Sequence, residues 1–248
     1  MTNNLRADTI TIKGHHDDEI EAYLAVPTDV ERCGSLVVIH HMPGYDEATK
    51  AIARNFAAHG YAALMPNLYS REAPGASPDD AAAAARNAGG VPDDRLVGDV
   101  AGAMAHLQSL AISNGKVASI GYCSGGRQSF LAGCRLPLDA VIDCYGAFVS
   151  VDTPADPQMP LKRTAVIGEA GNLRGPVLGL FGAEDQYPSP AETELLAAAL
   201  TAAKKEYTFR TFENAGHGFF AVDRPYYRVE AANEGWREIF AFLEQNLG

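Results

Sequence analysis

Short apolar runs alternate with stretches of helical spacing along most of this chain. Runs of strand type cover residues 9–12, 20–26, 35–40, 61–65, 117–120, 140–144, 176–181 and 207–212. Helical spacing predicts helices over residues 46–59, 78–87, 94–112, 191–203 and 226–245, and one more that ends near Cys134. Strands that alternate with helices in this way favour a mostly parallel sheet with helices on both faces.

The first two strand-type runs differ from the rest because only a short polar turn around His15 and His16 separates them. They predict an antiparallel hairpin at one edge of the sheet. No linker rich in Gly, Ser or Pro divides the chain, so residues 1–248 are predicted to form a single α/β domain. Residues 151–175 lack periodicity and predict a long loop with room for a short helical turn; whether it forms a lid does not follow from the sequence.

The acidic net charge of the chain makes some classes of binding partner less favourable than others. The formal net charge is −11, which disfavours nucleic acid and anionic membranes. No apolar window is long enough for a membrane span, and the first residues lack an apolar signal core, so a cytoplasmic location is expected. The four cysteines form no metal-type spacing, and three of them are predicted to be small buried side chains. No metal and no cofactor is predicted.

The turn after residues 117–120 carries the most distinctive chemistry. It reads Gly121-Tyr122-Cys123-Ser124-Gly125 and leads into helix-type sequence. This is the form of a nucleophile elbow, a strained turn between strand and helix whose flanking positions need almost no side chain. The N–H groups at the start of the following helix would favour a thiolate at Cys123.

Two more polar residues complete the chain order of a catalytic triad. Asp185 and His217 each stand just past a late strand. The order nucleophile, acid, histidine is that of α/β-hydrolases, whose active groups gather at the carboxyl ends of parallel strands. Glu184 is the alternative acid, although the Gly-x-x-Asp form of its loop favours Asp185. The backbone N–H groups of Ser124 and Met42 are predicted to form the oxyanion hole.

Five motifs together carry a family resemblance. They are the elbow, Pro-Asn-Leu-Tyr-Ser-Arg at 66–71, Ser-Asn-Gly-Lys at 113–116, Gly-Ala-Glu-Asp at 182–185 and Asn-Ala-Gly-His-Gly-Phe-Phe at 214–220. From about residue 8 to the C-terminus the chain resembles the dienelactone hydrolases, or carboxymethylenebutenolidases. The resemblance implies a single-domain α/β-hydrolase fold and a triad of Cys123, His217 and Asp185. It also implies hydrolysis of an enol-lactone or small ester without a cofactor.

Two positions depart from the family's pattern. Where the dienelactone enzymes carry a glutamate that helps to generate the thiolate, this chain has His41, which either contacts substrate or caps its loop. The family's carboxylate-binding arginine after the catalytic histidine is also missing. Arg71, Arg86 or Arg224 could bind a carboxylate instead. Further candidates for substrate contact are aromatic: Tyr69, Tyr145 and Phe219.

The residues therefore predict a cysteine-dependent hydrolase that forms an acyl-thioester at Cys123. Its expected partner is a small-molecule enol-lactone or activated ester, because an enol leaves more readily than a thiolate does. Two alternatives stay open: a broad small-molecule carboxylesterase, and a non-catalytic ligand receptor or thiol sensor on the same fold. The physiological substrate and the oligomeric state are not predicted.

Overall fold

One eight-stranded sheet forms the centre of the computed structural model, which describes residues 4–42, 44–155 and 161–248. In chain order its strands are β1 (Leu5–Lys13), β2 (Glu19–Pro27), β3 (Cys33–Ile39), β4 (Ala62–Pro66), β5 (Ser113–Tyr122), β6 (Ala140–Cys144), β7 (Val177–Gly182) and β8 (Tyr207–Phe212). Their spatial order is β1-β2-β4-β3-β5-β6-β7-β8. β2 pairs antiparallel with β1 and β4, and all other pairs are parallel. The predicted fold class and the N-terminal hairpin are confirmed.

Helices cover both faces of the sheet. They are α1 (Glu47–Ala58), α2 (Pro78–Asn87), α3 (Asp93–Ser109), α4 (Ser124–Arg135), α5 (Pro190–Ala202) and α6 (Val229–Leu247), with short 3₁₀ helices at His15–Asp17 and Ile167–Asn172. α1 and α6 pack on one face, where Phe56 and Ile239 are fully buried, and α3 and α4 pack on the other through Val100 and Phe130. Burial on both faces explains why the parallel strands are almost continuously apolar.

Several element boundaries differ from the sequence prediction. β5 begins at Ser113 rather than near 117 because Ser113 pairs with Cys33 at the start of β3. α6 begins at Val229 rather than near 226, since the Arg228 N–H donates to the Phe219 carbonyl at 3.1 Å and turns the chain first. In the predicted loop 151–175, one 3₁₀ helix lies at Ile167–Asn172, while residues 156–160 are outside the described ranges.

The parallel strands bring their carboxyl ends to one edge of the sheet, where the loops after β3, β5, β6, β7 and β8 lie side by side. Each predicted catalytic residue is in one of these loops. Across the described ranges, the helices are too short or too polar for any of them to cross a bilayer.

Candidate active site

The turn between β5 and α4 has the strained backbone of a nucleophile elbow. Cys123 has φ 58° and ψ −121°, in the region that non-glycine residues rarely adopt. A Cβ on Gly121 would lie 1.8 Å from the Gly125 carbonyl oxygen, and one on Gly125 would lie 2.4 Å from the Ile39 carbonyl oxygen. Both positions therefore require glycine so that the strand and the helix can meet at Cys123.

The other two predicted triad residues lie beside this turn. His217 Nδ1 is 2.9 Å from Asp185 Oδ2, and the second oxygen of Asp185 accepts the Tyr187 N–H at 2.9 Å. The Asp185 side chain is almost fully buried, whereas that of His217 is about one-third exposed. Cys123 is in hydrogen-bond contact with the His217 ring. Glu184, the alternative acid, is exposed.

The thiolate form of Cys123 and the imidazolium form of His217 stabilise each other. Burial opposes the thiolate, but the hydrogen bond and positive charge of His217 together with the Ser124 N–H outweigh it, so the pKa of Cys123 is lowered. Burial also opposes the imidazolium, yet Asp185 and Cys123 raise the pKa of His217 to about 10. The arrangement therefore stabilises a thiolate–imidazolium pair.

Two cavities flank Cys123. One, of about 490 Å³, is lined on the triad side by Ala147, Phe148, Glu184, Asp185, Gln186, Tyr187 and His217. The other, of about 170 Å³, contains the predicted oxyanion-hole residues Met42 and Ser124. A carbonyl carbon placed at the sulfur thus has open space on both sides, one for each half of an ester or lactone.

A cluster of two arginines, one buried and one half-buried, lines the smaller cavity. Arg127 is 3% exposed and binds both oxygens of Asp93 at 2.9 Å. Arg163 also lines the cavity, and burial lowers the pKa of its guanidinium. Among the described residues no carboxylate lies within ion-pair distance of Arg163. Sequence reasoning missed this residue because it stands in the aperiodic stretch 151–175, where no pattern indicates which side chains turn inward.

Comparison with known proteins identifies the family. The model of the dienelactone hydrolase family matches residues 20–247. The chain belongs to this family. A relative in Escherichia coli K12, provisionally named a carboxymethylenebutenolidase, is 30% identical over 243 residues, which cover 93% of this chain and 84% of the relative. A relative of the same provisional name in Methylorubrum extorquens AM1 is 30% identical over 232 residues, covering 92% of this chain and 78% of the relative.

A solved structure agrees with these matches. The crystal structure of a provisionally assigned dienelactone hydrolase from Klebsiella pneumoniae superposes with a TM-score of 0.83 at 25% identity, covering 98% of this chain and all of the other. The fold is that of the dienelactone hydrolase-like α/β-hydrolases. Together the family and its relatives make this chain a hydrolase that acts on ester bonds.

At the position where the dienelactone enzymes carry a glutamate, the side chain is bound to the residue that caps α1. His41 Nε2 lies 3.2 Å from Asp46 Oδ2, and Asp46 is the N-cap of α1, accepting the Thr49 N–H at 2.8 Å. His41 is absent from the described residues that line the two cavities beside Cys123. Its side chain thus connects the loop before Met42 to the start of α1, which favours the loop-capping prediction.

The three arginines that were predicted to bind a substrate carboxylate have different surroundings, and one of the predictions is corrected. Arg71 is removed from the substrate-binding candidates because its guanidinium binds both oxygens of Asp99, at 2.8 and 2.9 Å, and also Asp18 at 2.8 Å. Arg224 pairs with Asp223 at 3.3 Å. Arg86 is exposed on α2 and remains a prediction, since its charge acts on Tyr69.

The three aromatic candidates have different surroundings. Tyr69 lines the smaller cavity with Cys123, and its contact with substrate stays a prediction. Tyr145 packs edge-to-face on the His217 ring, with 5.2 Å between the ring centroids. Phe219 is also removed from the candidates, because it is fully buried in the core against Phe212 at 5.1 Å.

A buried carboxyl group that the sequence analysis did not single out lies under the elbow. Asp143, near the end of β6, is 0% exposed, and its Oδ1 accepts the Gly146 N–H at 2.7 Å. Oδ2 has no hydrogen-bond partner among the described residues. Burial raises the pKa of Asp143 to about 7. The available signal was a single carboxylate inside an otherwise apolar strand run.

The described residues contain no group of three His, Cys, Asp or Glu side chains that could hold a metal ion. Cys33, Cys134 and Cys144 are free and buried, and Cys123 is the more accessible one.

Proposed function

We propose that this protein hydrolyses an enol-lactone or a small activated ester through an acyl-thioester at Cys123. The observation that carries the proposal is the alignment of Cys123, His217 and Asp185 at the elbow, with His217 Nδ1 2.9 Å from Asp185 Oδ2. A lowered thiol pKa next to a raised imidazole pKa is the electrostatic state that nucleophilic cysteine catalysis needs.

In the first half-reaction the thiolate of Cys123 attacks the carbonyl carbon. The negative charge that develops on the carbonyl oxygen is stabilised by the N–H groups of Ser124 and Met42. When the tetrahedral intermediate collapses, the C–O bond breaks and the His217 imidazolium gives its proton to the departing oxygen. Asp185 holds the ring in the orientation that this transfer requires.

In the second half-reaction neutral His217 removes a proton from water, and the resulting hydroxide attacks the thioester carbonyl. The C–S bond then breaks, which releases the carboxylic acid product and restores the thiolate. An enol or phenol is a better leaving group than an alkoxide. With such an activated substrate, the tetrahedral intermediate of the first half-reaction expels the leaving oxygen rather than the thiolate. Unactivated alkyl esters and amides are therefore expected to react slowly.

Arg163 is our proposed replacement for the carboxylate-binding arginine that the family carries after the catalytic histidine. It lines the smaller cavity together with Cys123 and lacks a carboxylate partner among the described residues. The neighbouring guanidinium of Arg127 is already held by Asp93. A substrate carboxylate in this cavity could accept a bidentate pair of hydrogen bonds from Arg163.

The test of this function is the initial rate of hydrolysis of dienelactones, other lactones and aryl esters by the wild type and Cys123→Ala. We expect the wild type to cleave enol-lactones and aryl esters and the variant to lose at least about 10³-fold in rate, because both half-reactions require the sulfur. Cys33→Ala, which removes a buried thiol at the start of β3, away from the carboxyl end of the sheet, is the matched control and should keep its activity.

Two alternative functions predict other outcomes. A broad carboxylesterase would cleave aryl esters and ignore dienelactones. A non-catalytic receptor or thiol sensor would leave the wild type and Cys123→Ala equally inert on every substrate. A sensor would also be oxidised reversibly by mild peroxide with a change in function, whereas a hydrolase would merely lose activity.

A further inference from the structure

A separate cavity of about 190 Å³ is lined by Tyr145, whose ring also packs on that of His217. It is bounded by α1, the turn after Phe220, and α6, and it is partly open to solvent. Four aromatic side chains are among the described residues that line it: Tyr122, Tyr145, Phe220 and Trp236. None of the described residues that line it belongs to the triad, so it is distinct from the two cavities at Cys123.

The size of this aromatic cavity matches one ring. An apolar cavity of about 150 Å³ in a protein interior is large enough to bind benzene. The volume here therefore suits a benzene ring with one or two small substituents. Phe220 and Trp236 already pair edge-to-face at 5.7 Å, which offers a bound ring further stacked and edge contacts.

The polar end of the cavity includes His41, whose ring is bound by Asp46. His41 Nε2 faces the Asp46 carboxylate at 3.2 Å, and Asp46 also accepts the Thr49 hydroxyl at 2.7 Å. The Asp46 carboxylate only accepts hydrogen bonds, so a neutral His41 imidazole in this contact carries its proton on Nε2. Nδ1 of His41 is then a hydrogen-bond acceptor, and no described residue donates to it.

The charges around the cavity disfavour an ionised ligand. None of its described lining residues is a lysine or arginine, so a carboxylate would be desolvated without a partner. Asp223, on the rim, is paired with Arg224 at 3.3 Å, and Asp46 is already satisfied, so neither carboxylate is free for a cation. The site is suited to a neutral ring that carries one hydroxyl donor.

We propose that this cavity is a second ligand site, separate from the reacting sulfur, that binds a small uncharged phenol. The ring packs against Phe220 and Trp236, and the hydroxyl donates to His41 Nδ1. His41 directly precedes Met42, and Tyr145 contacts the His217 ring, so the ligand would lie next to both sides of the reacting centre. The binding itself does not depend on the proposed hydrolysis.

The test uses the single tryptophan of the chain, Trp236, which lines the cavity. With 5-fluorotryptophan in the full-length protein, one ¹⁹F resonance reports on the site during titration with p-cresol. We expect a saturable shift in the wild type and also in Cys123→Ala. Ala48→Phe fills the cavity from α1 and should weaken binding by roughly tenfold or more. Ala58→Phe, exposed on the same helix outside the cavity, should bind like the wild type.

The ligand series tests the chemistry without any variant. In the wild type, p-cresol should bind more tightly than toluene, which lacks the hydroxyl, and more tightly than benzoate and benzylammonium. His41→Ala should reduce the preference for p-cresol over toluene. A resonance that does not shift with p-cresol would overturn the proposal, as would tighter binding of either charged ligand or equal losses in Ala48→Phe and Ala58→Phe.

Discussion

Cys123 combines a strained backbone with a stabilised charge. Its φ of 58° turns the side chain out of the sheet edge, and His217 lowers the pKa of the thiol despite its burial. The strain is maintained because Gly121 and Gly125 allow β5 and α4 to approach within contact distance. Reactivity at this residue is therefore a property of its neighbours rather than of the sulfur alone.

Replacement of Arg163 tests the proposed carboxylate clamp at the residue scale. Arg163→Leu should raise KM for carboxylate-bearing lactones by roughly 10- to 100-fold, because a charge-assisted bidentate pair is lost. KM for uncharged aryl esters should change little. Arg237→Leu, which removes an exposed arginine from α6, is the matched control. An equal loss on charged and uncharged substrates would refute the clamp.

At the element scale, the end of β6 carries a group whose protonation is coupled to folding. Asp143 is 0% exposed and its pKa is raised to about 7, against 3.8 for an ordinary aspartate. The folded protein therefore holds a proton that the unfolded chain has lost. Between these two values the free energy of unfolding falls as pH rises.

Asp143→Asn should remove this pH dependence while keeping an acceptor for the Gly146 N–H. Below pH about 4 the variant and the wild type should have similar stability, and at pH 8 the variant should be more stable by up to about 4 kcal/mol. Denaturant unfolding at pH 4, 6 and 8 measures the difference. A constant difference across this range would show that Asp143 is ionised in the folded protein.

The elements were largely predictable from the chain, and the arginine cluster was not. Apolar runs separated by helical spacing identify the parallel strands, and α2 lies at residues 78–87 as predicted because Ser77 caps it and Pro78 starts it. Arg163 lies in a loop whose course depends on tertiary contacts, so no local pattern indicated it. Arg71 is the opposite case, because a sequence motif of the family contains it and the structure does not place it at the site. Its guanidinium binds Asp99 and Asp18 instead.

At the scale of the whole molecule, one sheet edge gathers groups that are far apart in the chain. His217 and Asp185 are 32 residues apart, yet each follows a strand that ends at this edge. The chain order of the three groups was readable because a parallel sheet places every strand exit on the same side. The cavity volumes and the charge pairing around Cys123 depend on packing and were outside the reach of sequence patterns.

The pH dependence of kcat/KM reports on the thiolate–imidazolium pair as a unit. The acid limb should lie below the ordinary thiol value of 9.0, because the pKa of Cys123 is lowered. The alkaline limb should lie near pH 10, where His217 loses the proton that the leaving oxygen needs. Initial rates with an activated ester whose leaving oxygen takes up a proton throughout the range measure both limbs, because that oxygen then needs the His217 proton. An acid limb at or above pH 9 would contradict the ion pair.

The most direct test of the account is the covalent intermediate. The wild type is mixed with 4-nitrophenyl acetate, quenched in acid within the first turnover and digested for peptide mass spectrometry. The account predicts one acetyl group, on the peptide that contains Cys123, which hydroxylamine removes and which Cys123→Ala lacks. An enzyme that releases nitrophenol without acylation of Cys123, or a Cys123→Ala variant with wild-type rates, would contradict it.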